Sequence, residues 1–469
     1  MSTLNGNIPE EQESFRDSIA TIDKEGKRAF IHPTKPFGKF YNWRGYFTWI
    51  YLIVFVALPF IKINGDPLFL FNVPEKKFIL FGAIFWPQDF FIFMLGMLIF
   101  IVFIALFTVV FGRLFCGWAC PQTVLMEMVF RKIEYWIDGD ANYQKALKKA
   151  PWSAEKIRKR TLKFIIFFAL SFVVANILLS YIIGMDKVLE IATDPISKHS
   201  GGFIGIMIFT TIFFFLFWWF REQACLIVCP YGRMQGVLLD KNSVVVAYDY
   251  VRGEERHKFK KNEVRTGGDC IDCGLCVKVC PTGIDIRNGT QLECVNCTAC
   301  IDACDHMMES VHLPKGLIRY DSENGIKNKI KLAFTTRMKA YTVVLLILVG
   351  IEVTLLVTRS DYDATVLRAK GMLYQEQPDN HISNLFTVKL VNKTRKDLPV
   401  ELKVENFNAR VDVVGKEIVL KAEGVTESTF FVILDKNDIK ERKTRLQIGV
   451  YSDGRKIKTV KTNFLGPIQ

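Results

Sequence analysis

The residues with the strongest chemical signal are eight cysteines between positions 270 and 304. They form two runs with the spacing C-x2-C-x2-C-x3-C, which are Cys270, Cys273, Cys276 and Cys280, then Cys294, Cys297, Cys300 and Cys304. Such runs hold 4Fe-4S clusters, and the fourth cysteine of each run binds the cluster of the other. Zinc ribbons or disulfides are the alternative, but two complete runs favour clusters.

This crossed pattern predicts two four-cysteine sites. The first site comprises Cys270, Cys273, Cys276 and Cys304. The second site comprises Cys280, Cys294, Cys297 and Cys300. Because thiolate ligands need a reducing environment, this part of the chain is expected in the cytoplasm.

The other four cysteines form a second repeat, in which two cysteines four residues apart precede a proline. The members are Cys116 and Cys120, then Cys225 and Cys229. Residues four apart share one face of a helix, so each pair is predicted to present both thiols on one side. Soft thiolates select Cu(I), zinc or iron–sulfur clusters. Arg113 and Arg221 lie close enough to favour the thiolate form. Cysteines that merely pack as small hydrophobic residues are the alternative.

The composition indicates a membrane protein. Half of the 469 residues are hydrophobic, 39 are Phe, and the net charge is +13. Lys and Arg lie in loops beside apolar stretches, as membrane topology requires, so nucleic acid is not expected as a partner. Five stretches have about the length that a bilayer demands, namely 45–63, 90–111, 161–184, 203–220 and 340–358.

The distribution of positive charge predicts the orientation. Residues 1–44 contain seven Lys and Arg, the loop 114–160 contains nine, and 221–337 contains seventeen. The loops 64–88 and 185–202 contain two each. The positive-inside rule therefore places the N-terminus and the cluster sites in the cytoplasm, and five spans place the C-terminus outside. The polar segment 1–44 has no apolar core, so no cleavable signal peptide is expected.

The C-terminal hundred residues have a different pattern. Short alternating runs predict strands at 385–391, 398–404, 417–420, 428–434, 444–451 and 456–462. This number of strands indicates an immunoglobulin-like sandwich. The predicted fold class is thus a multi-domain membrane protein with a five-helix transmembrane bundle, a two-cluster ferredoxin-like α+β domain and an all-β sandwich. The predicted domains are 1–44, 45–240, 241–337, 338–359 and 360–469.

With these motifs in place, the chain resembles the CcoG/FixG/RdxA family of cytochrome c oxidase accessory proteins. The resemblance covers the five spans, the motifs at 115–123 and 225–231, the twin cysteine runs and the segment 367–374. It implies reduction of Cu(II) to Cu(I) during maturation of a bacterial haem–copper oxidase. It also implies that copper is handled, as substrate or transient ligand, by Cys116, Cys120, Cys225 and Cys229.

Three functions follow from these observations. A reductase would take electrons from an unidentified donor and pass Cu(I) to an oxidase assembly factor or copper chaperone. A membrane electron conduit would instead join a quinol or cytoplasmic donor to a respiratory partner. A non-enzymatic protein would use the outer sandwich as a docking platform. A homodimer is one option for the oligomeric state. Glu352 lies in the outer half of the fifth span, where an ionisable group is either a functional candidate or extends to the membrane–water interface.

Overall fold

The computed structural model describes residues 20–22, 25–74, 77–86, 89–259, 267–330, 334–369, 373–378, 380–415 and 417–467. The chain forms two compact units. One combines the residues before position 76 with Leu95–Gly350, and the other combines Lys76–Met94 with Ile351–Gln469. The second unit is larger than the predicted domain 360–469, because it also includes Lys76–Met94 and the last residues of the fifth span.

Among the residues that the structure describes, five helices are long and apolar enough to cross a membrane, in agreement with the five predicted spans. They are Lys39–Phe60, Phe90–Phe111, Ala154–Ile183, Ser200–Phe220 and Thr336–Val357. Four of them begin before their predicted starts, because a helix continues through polar residues that a hydropathy pattern leaves out. The third span shows this most clearly. Its polar first turns are capped by Ser153, whose hydroxyl accepts a hydrogen bond from the backbone N–H of Lys156.

Short helices follow the second and fourth spans, and the Cys-Pro cysteines lie within these helical segments or directly before them. They are Leu114–Trp118, Pro121–Leu125, Arg131–Asp138, Ala141–Lys149 and Pro230–Leu238, joined by π-helical turns at Met126–Phe130, Leu216–Phe220 and Ala224–Val228. A further helix, Met185–Thr193, follows the third span. Phe130 stacks on Phe217 at 4.3 Å and contacts Phe167 edge-on at 5.0 Å between ring centroids. These contacts fix the turn Met126–Phe130 against the third span, which carries Phe167, and the fourth span, which carries Phe217.

The region of the cluster sites is small and mostly irregular. Its helices are Tyr250–Gly253, Leu275–Lys278, Ala299–Ser310 and Glu323–Asn328. Strands Val245–Tyr248 and Ile318–Asp321 pair antiparallel on one side of it. Its apolar core includes Tyr248, Ile301 and Leu317, together with several of the cysteines.

The C-terminal region is a β-sandwich, as predicted. One sheet has the order Arg410–Val413, Val425–Asp435, His381–Asn392 and Tyr362–Arg368, with Gln375–Gln377 paired to the third strand. The other has the order Ile418–Leu420, Leu398–Val404, Lys443–Ser452 and Arg455–Leu465. Phe386, Phe430 and Phe464 fill the space between the sheets and are fully buried. All six predicted strands are present, and three further strands were missed.

The loop between the first and second spans forms short strands. These are Lys62–Ile63, Asp66–Pro67, Phe69–Asn72, Lys77–Leu80 and Ala83–Phe85. In the second unit, Asp89 follows the last of them and binds two cations of the sandwich. Its carboxylate lies 2.7 Å from the Arg359 guanidinium and 2.6 Å from the Lys393 ammonium.

Candidate functional site

The cysteines of the first site line one cavity. Its empty volume is about 350 Å³, part of it open to solvent, and its walls include Cys270, Cys273, Cys276 and Cys304. Met307 and Met308, three and four residues after Cys304, also line it. Met308 is 2% exposed. These two methionines therefore pack over the site.

The cysteines of the second site line a neighbouring cavity. Its empty volume is about 340 Å³, part of it open to solvent, and its walls include Cys280, Cys294, Cys297 and Cys300. Cys276 of the first site borders this cavity too, so the two sites are adjacent. The structure thus brings together the two crossed sets that the spacing predicts, although the assignment of ligands stays a prediction.

The backbone of both runs suits a cubic cluster. Residues on either side of the second cysteine adopt left-handed conformations in each run. In the first run these are Asp272 and Gly274, with φ of 50° and 66°. In the second run Asn296 and Thr298 have φ of 53° and 65°. Such turns let a short loop direct three thiols to one centre, and soft sulfur donors are the ligands that iron–sulfur clusters require. The two runs therefore fit 4Fe-4S clusters equally well.

The Cys-Pro cysteines do not form helical pairs, which corrects the prediction. Cys116 lies in the helix Leu114–Trp118 and Cys225 in the turn Ala224–Val228, but their partners are extended. Cys120 has ψ of 124° and Cys229 has ψ of 112°. The ring of a proline disfavours the helical region for the residue before it. Pro121 and Pro230 then begin new helices.

The four Cys-Pro thiols nevertheless share one neighbourhood. Cys116 interacts electrostatically with Cys120 and Cys229, and Cys225 interacts with all three others. Burial raises the pKa of Cys116 to about 11 and that of Cys225 to about 12. Arg113 offsets part of this rise at Cys116. The predicted thiolate-stabilising role of Arg221 is wrong, because its guanidinium binds Glu134 at 2.9 Å instead.

No three of these four thiols lie within 4.8 Å of one another. Among the described residues, only Glu190, Asp194 and His199 form a group of three or more metal-type donors that close. A tetrahedral ion with thiolate bonds of about 2.3 Å would need sulfur atoms about 3.8 Å apart. The cysteines of the two predicted cluster sites also form no group of three within 4.8 Å. A single metal ion at the Cys-Pro cysteines would therefore draw them together, whereas a cluster would not.

The first Cys-Pro segment packs directly on the second site. Cys116 belongs to the same buried apolar group as Val295 and Cys297. A Cβ atom at Gly117 would collide with the carbonyl oxygens of Val295 and Asn296, so the lack of a side chain permits this approach. The Trp118 indole donates a hydrogen bond to the Tyr320 hydroxyl at 3.1 Å.

The second Cys-Pro segment borders a cavity of about 310 Å³ beside the same cluster loops. Cys225, Glu127 and Glu222 line it, opposite Pro281 and Val295. Thr123 contacts the Cys225 thiol, at 3.9 Å between oxygen and sulfur. Burial raises the pKa of the Glu127 carboxyl. Both Cys-Pro segments therefore face the second site.

Buried ion pairs surround this cavity, and the sequence pattern gave no sign of them. The Arg131 guanidinium lies 3.0 Å from Glu127 and 3.6 Å from Glu222, and Arg28 lies 3.0 Å from Glu222. Beyond them, Glu134 binds Lys163 and Arg221. Although burial opposes its ionisation, these cations hold the pKa of Glu134 well below its ordinary range.

The N-terminal segment, predicted only as a polar extension, takes part in the site. Asp302, between two cluster cysteines, accepts hydrogen bonds from the backbone N–H groups of Phe40 and Tyr41 at 3.0 and 2.7 Å. The carboxylate thereby caps the start of the first span. The Thr34 N–H also donates to the Lys278 carbonyl at 2.8 Å. These contacts dock the cluster region on the membrane helix.

Glu352 lies in the fifth span, five residues before the helix ends at Val357. Its Oε2 atom is buried and has no hydrogen-bond partner among the described residues. Its role stays open.

Comparison with known proteins agrees with this arrangement. The chain is 31% identical over 474 residues to the nitrogen fixation protein FixG of Rhizobium meliloti, which covers 88% of each chain. It is 33% identical over 397 residues to protein RdxA of Cereibacter sphaeroides, covering 81% of this chain and 82% of RdxA. The crystal structure of a FixG-related protein from Vibrio parahaemolyticus is 21% identical and covers 23% of this chain, with a TM-score of 0.20.

Three family models match parts of the chain. A 4Fe-4S dicluster domain matches residues 220–323, and a 4Fe-4S binding domain matches residues 93–140. The immunoglobulin-like fold at the C-terminus of FixG matches residues 353–467. The fold and the site thus define a membrane iron–sulfur protein of electron transfer. The chain belongs to the FixG/RdxA family.

Proposed function

We propose that this protein is a membrane-bound metalloreductase that converts Cu(II) to Cu(I). The observation that carries this proposal is that the four Cys-Pro thiols share one neighbourhood, with Cys116 packed in the same apolar group as Cys297. Thiolates prefer Cu(I) to Cu(II), and this preference makes bound Cu(II) easier to reduce. When bound, the two 4Fe-4S clusters supply one-electron transfer.

The residues have distinct roles in this proposal. Cys116, Cys120, Cys225 and Cys229 bind the copper ion, and the cavity beside Cys225 gives it access. Each Cu(II) takes up one electron, which a low-potential one-electron carrier supplies. Binding of the ion displaces the thiol protons. The eight cysteines of the two cluster sites hold the electron-transfer groups.

The proposed setting is a bacterial inner membrane. The positive charge of alternate loops favours cytoplasmic cluster sites and an outer sandwich. Cu(I) then serves the maturation of a haem–copper oxidase, delivered through an assembly factor or a copper chaperone. The FixG and RdxA relatives come from bacteria, which supports the bacterial setting.

An anaerobic assay on purified, chemically reduced protein tests the activity. Cu(I) formation is followed with a Cu(I)-specific chelator, and iron content is measured in parallel. The double variants Cys116→Ser with Cys120→Ser, and Cys225→Ser with Cys229→Ser, are expected to lose copper reduction while keeping the iron of both cluster sites. Met234→Leu, at an exposed position on the following helix, is the control. Native rates in both double variants would contradict the proposal.

A second candidate is that the Cys-Pro cysteines hold a third iron–sulfur centre in an electron conduit. The match of residues 93–140, which contain Cys116 and Cys120, to a 4Fe-4S binding domain favours it. The wide spacing of the thiols suits it as well. In that case the serine variants would lose iron, about four atoms per chain for a cubic cluster.

A further inference from the structure

Two buried arginines connect the Cys-Pro segments to the loop of the second site. Arg44 donates from Nη1 to the Cys297 carbonyl at 3.0 Å and from Nε to the Gly117 carbonyl at 3.2 Å. Arg113 donates from Nη1 to the Leu292 carbonyl. The two side chains belong to residues that are only 5% and 3% exposed. Each guanidinium is thus held against the second site.

Arg113 also binds the other Cys-Pro segment. Its Nε donates to the Gln235 amide oxygen at 3.0 Å, and the same oxygen accepts from the Cys116 thiol at 3.1 Å. Gln235 lies on the helix that begins at Pro230. A continuous set of hydrogen bonds therefore runs from the second site to the thiol of Cys116.

The charge around the two sites differs. Within the described part of the chain, neither Arg44 nor Arg113 has a carboxylate ion-pair partner. The arginine that lines the first site, Arg287, is neutralised by Asp285 and Asp272, each 2.6 Å from it. Positive charge beside a cluster stabilises its reduced form, and charges in a buried environment interact strongly. The second site is therefore expected to receive more stabilisation from its two unpaired arginines than the first site receives from Arg287.

We propose that Arg44 and Arg113 make the second site the one that delivers electrons to the Cys-Pro cysteines. They join its loop to both segments, and their charge raises its reduction potential. The first site, with its neutralised arginine, is then the one that accepts electrons from the one-electron donor. Each electron thus passes from donor to first site to second site. Only the last transfer, to copper, rests on the proposed function.

An EPR-monitored redox titration of the reconstituted full-length protein, without copper, tests the electrostatic part. Cys294→Ala and Cys270→Ala assign the two signals to the second and first sites, because these two cysteines belong to the same sites whether or not the fourth cysteines cross. Arg44→Gln and Arg113→Gln are expected to shift only the second-site potential downward. Arg287→Gln is the matched control and should leave the second-site potential unchanged. Arg44→Lys keeps the charge and should retain the native potential.

A shift of the first-site signal in Arg44→Gln and Arg113→Gln, or no shift of either signal, would overturn the proposal. A second measurement uses the unmodified protein and does not depend on variants that fold. Co(II), a paramagnetic ion that takes thiolate ligands, is added as a probe of the Cys-Pro cysteines. It should accelerate the spin relaxation of the second-site signal more than that of the first, and the reverse order would overturn the proposal. Because neither measurement uses copper, a failed copper assay leaves both results interpretable.

Discussion

The thiol of Cys116 donates a hydrogen bond to the amide oxygen of Gln235 at 3.1 Å. Cys116 follows the second span, whereas Gln235 lies on the helix that follows the fourth. Gln235 is fully buried, and its oxygen also accepts from Arg113. The second Cys-Pro segment therefore positions the thiol of the first.

Replacing Gln235 with alanine is expected to lower the free energy of unfolding by about 1–3 kcal/mol, because Cys116 and Arg113 lose their acceptor while they stay buried. Thermal unfolding in detergent measures the change, and copper titration of the same variant is expected to show weaker binding. Met234→Leu, one residue away but 40% exposed, is the matched control. Equal melting temperatures for the alanine variant and the native protein would contradict this prediction.

Metal content tests the crossed ligand sets. Eight cysteines in two such runs predict about eight iron atoms and eight acid-labile sulfides per chain after anaerobic reconstitution. Cys280→Ala is expected to disturb the second site, although Cys280 belongs to the run of the first site. The change should appear as loss of one of two EPR signals. Loss of the signal assigned to the first site alone would refute the crossed assignment.

Local pattern was sufficient for much of the architecture. Cysteine spacing, apolar stretches and strand alternation are short-range features, and each predicted its own element. The Cys-Pro pairs show where such rules compete. The i, i+4 spacing favours a helical face, but proline after Cys120 and Cys229 excludes those residues from the helix. The proline, whose steric effect outweighs the helical spacing, is part of the same motif.

The remaining features depend on distant parts of the chain. Arg28 meets Glu222, and Arg44 meets Cys297, across separations of 194 and 253 residues. No periodicity in one segment can indicate its partner in another. Arg44 also lies in the first turns of a membrane helix, where a charge ordinarily marks only the edge of a span. Its contact with Cys297 depends on the docking of the cluster region on that helix by Asp302.

Reporter fusions test the orientation. The asymmetry of Lys and Arg predicts that fusions after Ala150 and Lys315 read cytoplasmic. A fusion after Asp379 is expected to read outside, because five spans precede it. Asp379 itself falls outside the described residues, so the neighbouring Asn380 serves equally well. An outer signal from the Lys315 fusion would place the cluster sites in an oxidising compartment and overturn the topology.

The ion pairs of Asp89 predict a dependence of the second unit on pH. Although burial opposes ionisation, the hydrogen bonds from Arg359 and Lys393 lower the pKa of the Asp89 carboxyl below its ordinary value. A depressed pKa contributes stability above the unfolded value of about 3.9, and this contribution is lost as the pH falls through the folded pKa. The sandwich is therefore expected to lose stability below about pH 4.

The substitution Asp89→Asn should remove this contribution at neutral pH as well. Because Arg359 and Lys393 would stay buried without a counter-charge, we expect the sandwich to lose about 3 kcal/mol. Hydrogen-exchange mass spectrometry of the strand His381–Asn392 measures the change at neutral and acid pH. Glu427→Gln breaks an exposed pair with Lys389 and should cost under about 1 kcal/mol. If Asp89→Asn and Glu427→Gln lower the stability of the sandwich by the same small amount, the ion pairs of Asp89 do not hold the loop before the second span to the sandwich.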